Sequence, residues 1–219
     1  MKLLLRDVPA RFQTGKTTSI SCLIGMIQPS AGNALVAGLS IREDMDKIYS
    51  TMGICPQHDI LWERLTARAH MQFYGALKNL TGKELEQAVL NGLRMVQLLN
   101  WIDQKVSTFS GGMKRRLSVA ISMIGSPSVT YLDEPSTGLD PASRRSLWAC
   151  VKEAKKSRAI FLTTHSMEEA EELCDRVGIF VDGRYLFLRK RARKRCLHAR
   201  ARARKHARMQ LHSSDTCRM

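Results

Sequence analysis

A short apolar run, Ser128-Val129-Thr130-Tyr131-Leu132, stops abruptly at two carboxylates, Asp133 and Glu134. A chain buries such a run most readily as a parallel strand covered on both faces, with the charge left at its C-terminal end. Helical patterns stand on either side. Gly112 to Ile124 places Leu117, Ala120, Ile121 and Ile124 on one face, and Pro141 to Ala154 starts with proline at a first helical position. Ala159 to Thr163 reads as a second buried strand and Ser166 to Cys174 as a helix. Val177 to Val181 reads as a strand, turning at Asp182-Gly183 into Arg184 to Leu188. Upstream, Thr17 to Ile27, Thr66 to Leu80 and Gly82 to Leu99 have helical spacing. This alternation predicts an α/β fold with a mainly parallel sheet.

Charge divides the chain in two. The formal net charge is +15, yet residues 189–219 hold 12 of the 35 Lys and Arg and one of the 20 acidic residues. The remaining 188 residues form an ordinary, weakly basic surface. The stretch from Arg189, rich in Arg and Ala, reads as a disordered tail, because like charges repel and rarely pack. It has no aromatic residues for stacking on bases, so no specific nucleic acid is expected. No apolar run approaches the ~18 residues of a membrane-spanning helix, and Leu3-Leu4-Leu5 is too short for an export signal. The six cysteines show no zinc-ligand spacing and read as reduced, mostly buried thiols.

Several elements carry chemistry. Gly15-Lys16-Thr17-Thr18 resembles the end of a phosphate-binding loop, where helix N-terminal amides, a lysine and a hydroxyl meet phosphate and Mg2+. A G-K-T tripeptide alone is often accidental. Asp133-Glu134 places one carboxylate near a metal and the next near an attacking water, although many strands end in acids. Ser110-Gly111-Gly112 reads as a helix cap with room for close approach to an anion. Gln57, Asp140 and His165 complete the set, and each alone is more often a satisfied polar residue than a functional one. His165 ends a strand, where the sites of open α/β sheets gather.

In this order the elements resemble the nucleotide-binding domain of ATP-binding cassette (ABC) transporters. The runs Ser110 to Ala120 and Asp133 to Arg145, with Cys55-Pro56-Gln57-His58, are similar to the A subfamily. The likeness extends from Thr14 to Phe187. It implies a P-loop NTPase of ABC type, spanning 1–188, with a mainly parallel sheet core. It also implies a helical subdomain inserted at about 60–125, within which Ile60 to Leu99 docks on a membrane partner. The N-terminal antiparallel β subdomain is expected to be largely missing.

The resemblance further implies ATP and Mg2+ as cofactors and ATP hydrolysis powering transport, of lipid in this subfamily. Gly15, Lys16 and Thr18 would hold phosphate, with Lys16 at the β- and γ-phosphates. Thr17, Gln57 and Asp133 would serve Mg2+. Glu134 would be the general base, Gln57 would sense the attacking water, and His165 would hold the γ-phosphate. Ser110, Gly111 and Gly112 would complete the site of a second cassette in a head-to-tail dimer, with Asp140 at the seam. A transmembrane domain would be the other partner, placing the chain on the cytoplasmic face of a membrane.

Three departures qualify these expectations. Family members typically read Gly-Pro-Asn-Gly-Ala-Gly-Lys-Thr-Thr where this chain has Ala10-Arg11-Phe12-Gln13-Thr14-Gly15-Lys16-Thr17-Thr18. Ala10 and Gln13 cost ~1–3 kcal/mol each if glycine conformations are forced on them. Few residues precede Ala10, and the basic tail replaces further folded structure. Both ends are expected to reflect truncation or altered reading of a longer gene. Two alternatives therefore stand beside the active ATPase: a binding-impaired cassette fragment, and a polyanion-binding tail on an inert carrier. A soluble ABC ATPase of translation or DNA repair fits less well, because Phe109 to Arg145 follows the A subfamily.

Overall fold

The computed structural model describes residues 4–6, 16–181 and 184–190. The loop residues Ala10 to Gly15, the Asp182-Gly183 turn and the tail from Arg191 lie outside the described residues. Among those described, the elements run in the order β1 (Leu4–Arg6), α1 (Lys16–Leu23), β2 (Asn33–Val36), β3 (Leu39–Ser40), α2 (Met45–Thr51), β4 (Met52–Cys55), α3 (Ala67–Leu77), α4 (Gly82–Met95), α5 (Gly111–Met123), β5 (Val129–Asp133), α6 (Pro141–Ala154), β6 (Ala159–Thr163), α7 (Met167–Leu173), β7 (Arg176–Val181) and β8 (Arg184–Lys190).

The central sheet is parallel, in the order β4-β5-β6, with Leu132 opposite Cys55 and Leu162. Every residue of β5 is buried, as its apolar run predicts. Successive side chains point to opposite faces. Val129 and Tyr131 join Ile20 and Leu23 of α1, Ile24 just beyond it and Ile48 of α2 in one core. Leu132 packs on the other face with Val119 and Met123 of α5 and Leu147, Trp148 and Val151 of α6. A third core unites α3, α4 and α5 through Met71, Val89, Leu93, Leu117 and Ala120. The apolar face expected of α5 turns to this third core: Leu117, Ala120 and Ile124 are buried in it, and Ile121 packs against it.

Three features differ from the sequence reading. The sequence pattern offers no element over 28–65, yet this segment forms β2, β3, α2 and β4. Its strands are short, and Gly53 interrupts the apolar pattern of β4. Gly53 is there because α5 crosses close by: a Cβ on it would sit 1.7 Å from the Ser122 carbonyl oxygen. Second, where the antiparallel subdomain was expected to be largely missing, a small antiparallel sheet β1-β2-β3 is present. Third, β8 continues through Arg189 and Lys190, two residues into the expected tail, with Lys190 opposite Arg176.

The helices read from the sequence start within a residue of their expected positions, and all but α6 end early. Met26 N–H bonds the Ser21 carbonyl at 2.9 Å and Gly25 N–H the Cys22 carbonyl at 3.2 Å, closing α1 with Gly25 at φ +77. Asn79 and Gln97, at φ 62 and 58, close α3 and α4 with the same pair of bonds. The apolar residue that follows each, Leu80 or Leu98, packs back on the helical core. That residue carries the apolar rhythm past the true helix end.

Candidate functional site

The carboxylates at the end of β5 are inside the protein. Asp133 is buried and accepts a hydrogen bond from the Thr163 hydroxyl at the end of β6. Glu134 is 4% exposed and takes a left-handed backbone, φ +50, which only a supported non-glycine residue adopts. Its N–H donates to the Thr163 carbonyl at 3.1 Å. Its Oε2 accepts from the Thr137 hydroxyl at 2.9 Å, and its Oε1 lies 2.9 Å from His165 Nε2. The His165 side chain is 75% exposed, so the pair joins a buried acid to a ring at the surface. The structure thus brings Asp133, Glu134 and His165 together through adjacent parallel strands.

Gln57 follows β4 by two residues. Since β4 and β5 are neighbours in register, Gln57 leaves the sheet on the same side as Asp133, and it is exposed. Lys16 opens α1, with Thr17 exposed and Thr18 half-buried in the first turn. Gly15 lies outside the described residues.

The other expected residues form a second group. Ser110 caps α5, its Oγ accepting from Met113 N–H at 3.2 Å. Gly111 has open space where a Cβ would stand, but at Gly112 a Cβ would lie 2.4 Å from Ser143 Oγ on α6. Asp140 caps α6, accepting from the Ala142 and Ser143 amides at 3.0 and 2.9 Å. The Ser143 hydroxyl, then the amides of this turn, hold its carboxyl below the usual carboxylate range. Ser110 to Gly112 and Asp140 therefore sit at neighbouring helix N-termini.

Arg115 is the residue the sequence reading missed. In Lys114-Arg115-Arg116 it looks like part of a solvated basic face. It is buried, with Nε donating to the Pro135 carbonyl at 2.8 Å and Nη2 to the Asp133 carbonyl at 2.8 Å and the Glu134 carbonyl at 3.3 Å. Its Nη1 donates to the Pro56 carbonyl at 2.7 Å and to Asp59 Oδ1 at 3.0 Å. The available signal was spacing: Arg115 shares a helix face with Val119, Ser122 and Met123.

The sequence family described as ABC transporter matches residues 14–137. ABC transporter A family member 8 of Arabidopsis thaliana is 65% identical over 171 residues, 77% of this chain and 19% of that protein. A family member 4 of the same plant is 63% identical over 172 residues, 78% of this chain and 18% of its own length. The chain thus spans about a fifth of these curated relatives. Among solved structures, an ATP-binding subunit of an ABC transporter shares 28% identity at a TM-score of 0.70, covering 80% of this chain and 74% of that one. A dimeric ATP-binding cassette, captured after hydrolysis with ADP and Pi, has the same fold at 21% identity and a TM-score of 0.72, with 82% of each chain covered. With the family matched across more than half its length and the fold in agreement, the chain belongs to the ABC transporter family as a nucleotide-binding domain similar to those of the A family.

Proposed function

We propose that this chain binds Mg-ATP and hydrolyses it to power a transmembrane partner, with lipid as the transported class. The observation that carries the reading is Glu134: a buried carboxylate at the mouth of the central parallel strand, oriented by Thr137 and facing His165. A general base needs that fixed orientation to take a proton from an attacking water. His165, across from it, is the γ-phosphate contact. Lys16 and Thr18 hold phosphate, with Gly15 letting the backbone approach. Thr17, Gln57 and Asp133 offer a hydroxyl, an amide oxygen and one carboxylate. That all-oxygen set fits Mg2+, which takes few protein ligands beside phosphate. When bound, Mg2+ neutralises charge on the β- and γ-phosphate oxygens.

Ser110, Gly111, Gly112 and Asp140 serve a second cassette in a head-to-tail pair. Residues 60–125 form the subdomain that meets a membrane domain, which places the chain at the cytoplasmic face. The cassette runs to the end of β8 at Lys190, and the basic stretch that follows is a separate tail. The test is steady-state ATP turnover of the chain and of Glu134→Gln, which should lose about 10²–10⁴-fold of the rate. A rate unchanged by Glu134→Gln would remove Glu134 from the chemistry. No turnover by a folded chain would favour the second reading, a binding-impaired cassette, which Ala10 and Gln13 in the phosphate loop support.

A further inference from the structure

The buried guanidinium of Arg115 plays no part in the chemistry above. A guanidinium has five N–H groups in a rigid fork. Here five acceptors within 3.3 Å meet it. Three are consecutive carbonyls of the turn after β5, at Asp133, Glu134 and Pro135. The other two, the Pro56 carbonyl and the Asp59 carboxylate, belong to the segment that carries Gln57. The ladder between β4 and β5 ends at the pair Cys55–Leu132. Beyond it, Arg115 links the two diverging segments. One of them contains Glu134 in its left-handed conformation, and Arg115 holds the carbonyl on each side of that residue's Cα.

We propose that Arg115 is a positioning residue that sets the Gln57 segment against the Glu134 turn, so that a shift of one is passed to the other. The two ends of the link are unequal. The Arg115 side chain is 5% exposed and that of its carboxylate partner Asp59 25% exposed. The carbonyl end is the anchored one. The Asp59 end, nearer the solvent, is where the link is released or tightened. Lysine is no substitute, having three donors on a point charge instead of a planar fork.

The consequence for turnover rests on the proposed ATPase reading; the link between the segments does not. The test is amide hydrogen exchange on the full chain without nucleotide, for the wild type, Arg115→Lys and Asp59→Asn. The reporting amides are hydrogen-bonded in both segments: Trp62 and Leu65 in one, Glu134 and Thr137 in the other. Arg115→Lys should speed exchange in both segments by about tenfold, the effect of ~1.4 kcal/mol on local opening, with β5 and β6 amides unchanged. Asp59→Asn, at a more exposed position, should speed only the Gln57 segment. Where the chain turns over ATP, Arg115→Lys should lower kcat with KM little changed. Unaltered exchange in both variants would overturn the link. So would a uniform rise across the whole chain, which is loss of general stability. If Arg115→Lys fails to fold, Asp59→Asn decides: no change around Gln57 overturns the proposal. Absent turnover by the wild-type chain, with both segments still coupled in exchange, would instead count against the ATPase reading alone.

Discussion

Two segments leave neighbouring strands of the parallel sheet on the same side and meet different surroundings. The turn after β5, Asp133 to Ser136, is buried throughout, whereas the segment after β4, from Gln57 to Leu65, is largely exposed. Position in the sheet accounts for the difference. β5 is central, flanked by β4 and β6, so Thr163 of β6 and Arg115 of α5 both reach its exit. β4 is an edge strand among the described residues. Its exit is held mainly from one side, by Arg115 through Asp59 and by His70, whose Nε2 accepts from Trp62 N–H at 2.9 Å. A carboxylate that must keep one orientation belongs in the caged turn. In the proposed ATPase, the group that responds to a bound ion, Gln57, stands in the open one.

The largest expected effect comes from breaking the strand that places the open segment. In Gly53→Ala the new Cβ meets the Ser122 backbone carbonyl, which no rotamer can move aside. A loss of about 3 kcal/mol is expected, the upper part of the overpacking range. Denaturant titration checks it, and a loss below about 1 kcal/mol would mean that β4 and α5 are not so closely packed.

That contact also shows what the sequence revealed and what it concealed. The central strand was legible because β5 is apolar on both faces and stops at charge. Helix starts were legible where Ser110 reads as a cap and Pro141 as a first helical residue; Asp140 and Ser166 turn out to cap in the same way, their side chains accepting from backbone amides two or three positions on. Helix ends were not, since Leu80 and Leu98 pack on the core after Asn79 and Gln97 have already turned the chain. β4 was hidden by its glycine, whose reason is a helix nearly seventy residues later. At the site, Asp133, Glu134 and His165 could be picked out by type and order. Arg115 was obscured by its basic neighbours, since a buried arginine is recognised by the carbonyls it meets, which only the fold assembles.

A smaller effect should loosen the caged turn first. Thr163→Val keeps the shape but removes the hydroxyl that donates to Asp133 and accepts from Glu134 N–H at 3.3 Å. About 1–2 kcal/mol of stability should be lost, the cost of buried groups left without a partner. Exchange should rise most at Glu134 and Thr137 and less, through Arg115, at Trp62. An equal rise at both would erase the distinction between the segments.

The smallest effect concerns the open segment and pH. Burial holds the His70 imidazole below its ordinary value of 6.5, against the opposing pull of its bond to the Thr66 carbonyl. The unfolded chain therefore binds a proton near pH 6.5 that the folded chain refuses. The stability associated with neutral His70 is fully present above that pH and falls as the pH drops toward the depressed folded value, by at most about 1.4 kcal/mol per pH unit. Unfolding midpoints from pH 7.5 to 5 should fall less steeply in His70→Gln than in the wild type. Identical slopes would show that His70 does not anchor this segment.

The most direct measurement is Mg-ATP binding to the folded chain by calorimetry, with Lys16→Ala beside it. A saturable isotherm that Lys16→Ala weakens at least about tenfold, ~1.4 kcal/mol of binding energy, is the predicted result. No binding by a chain whose hydrogen exchange shows an intact β5 and β6, or binding that Lys16→Ala leaves unchanged, would contradict it.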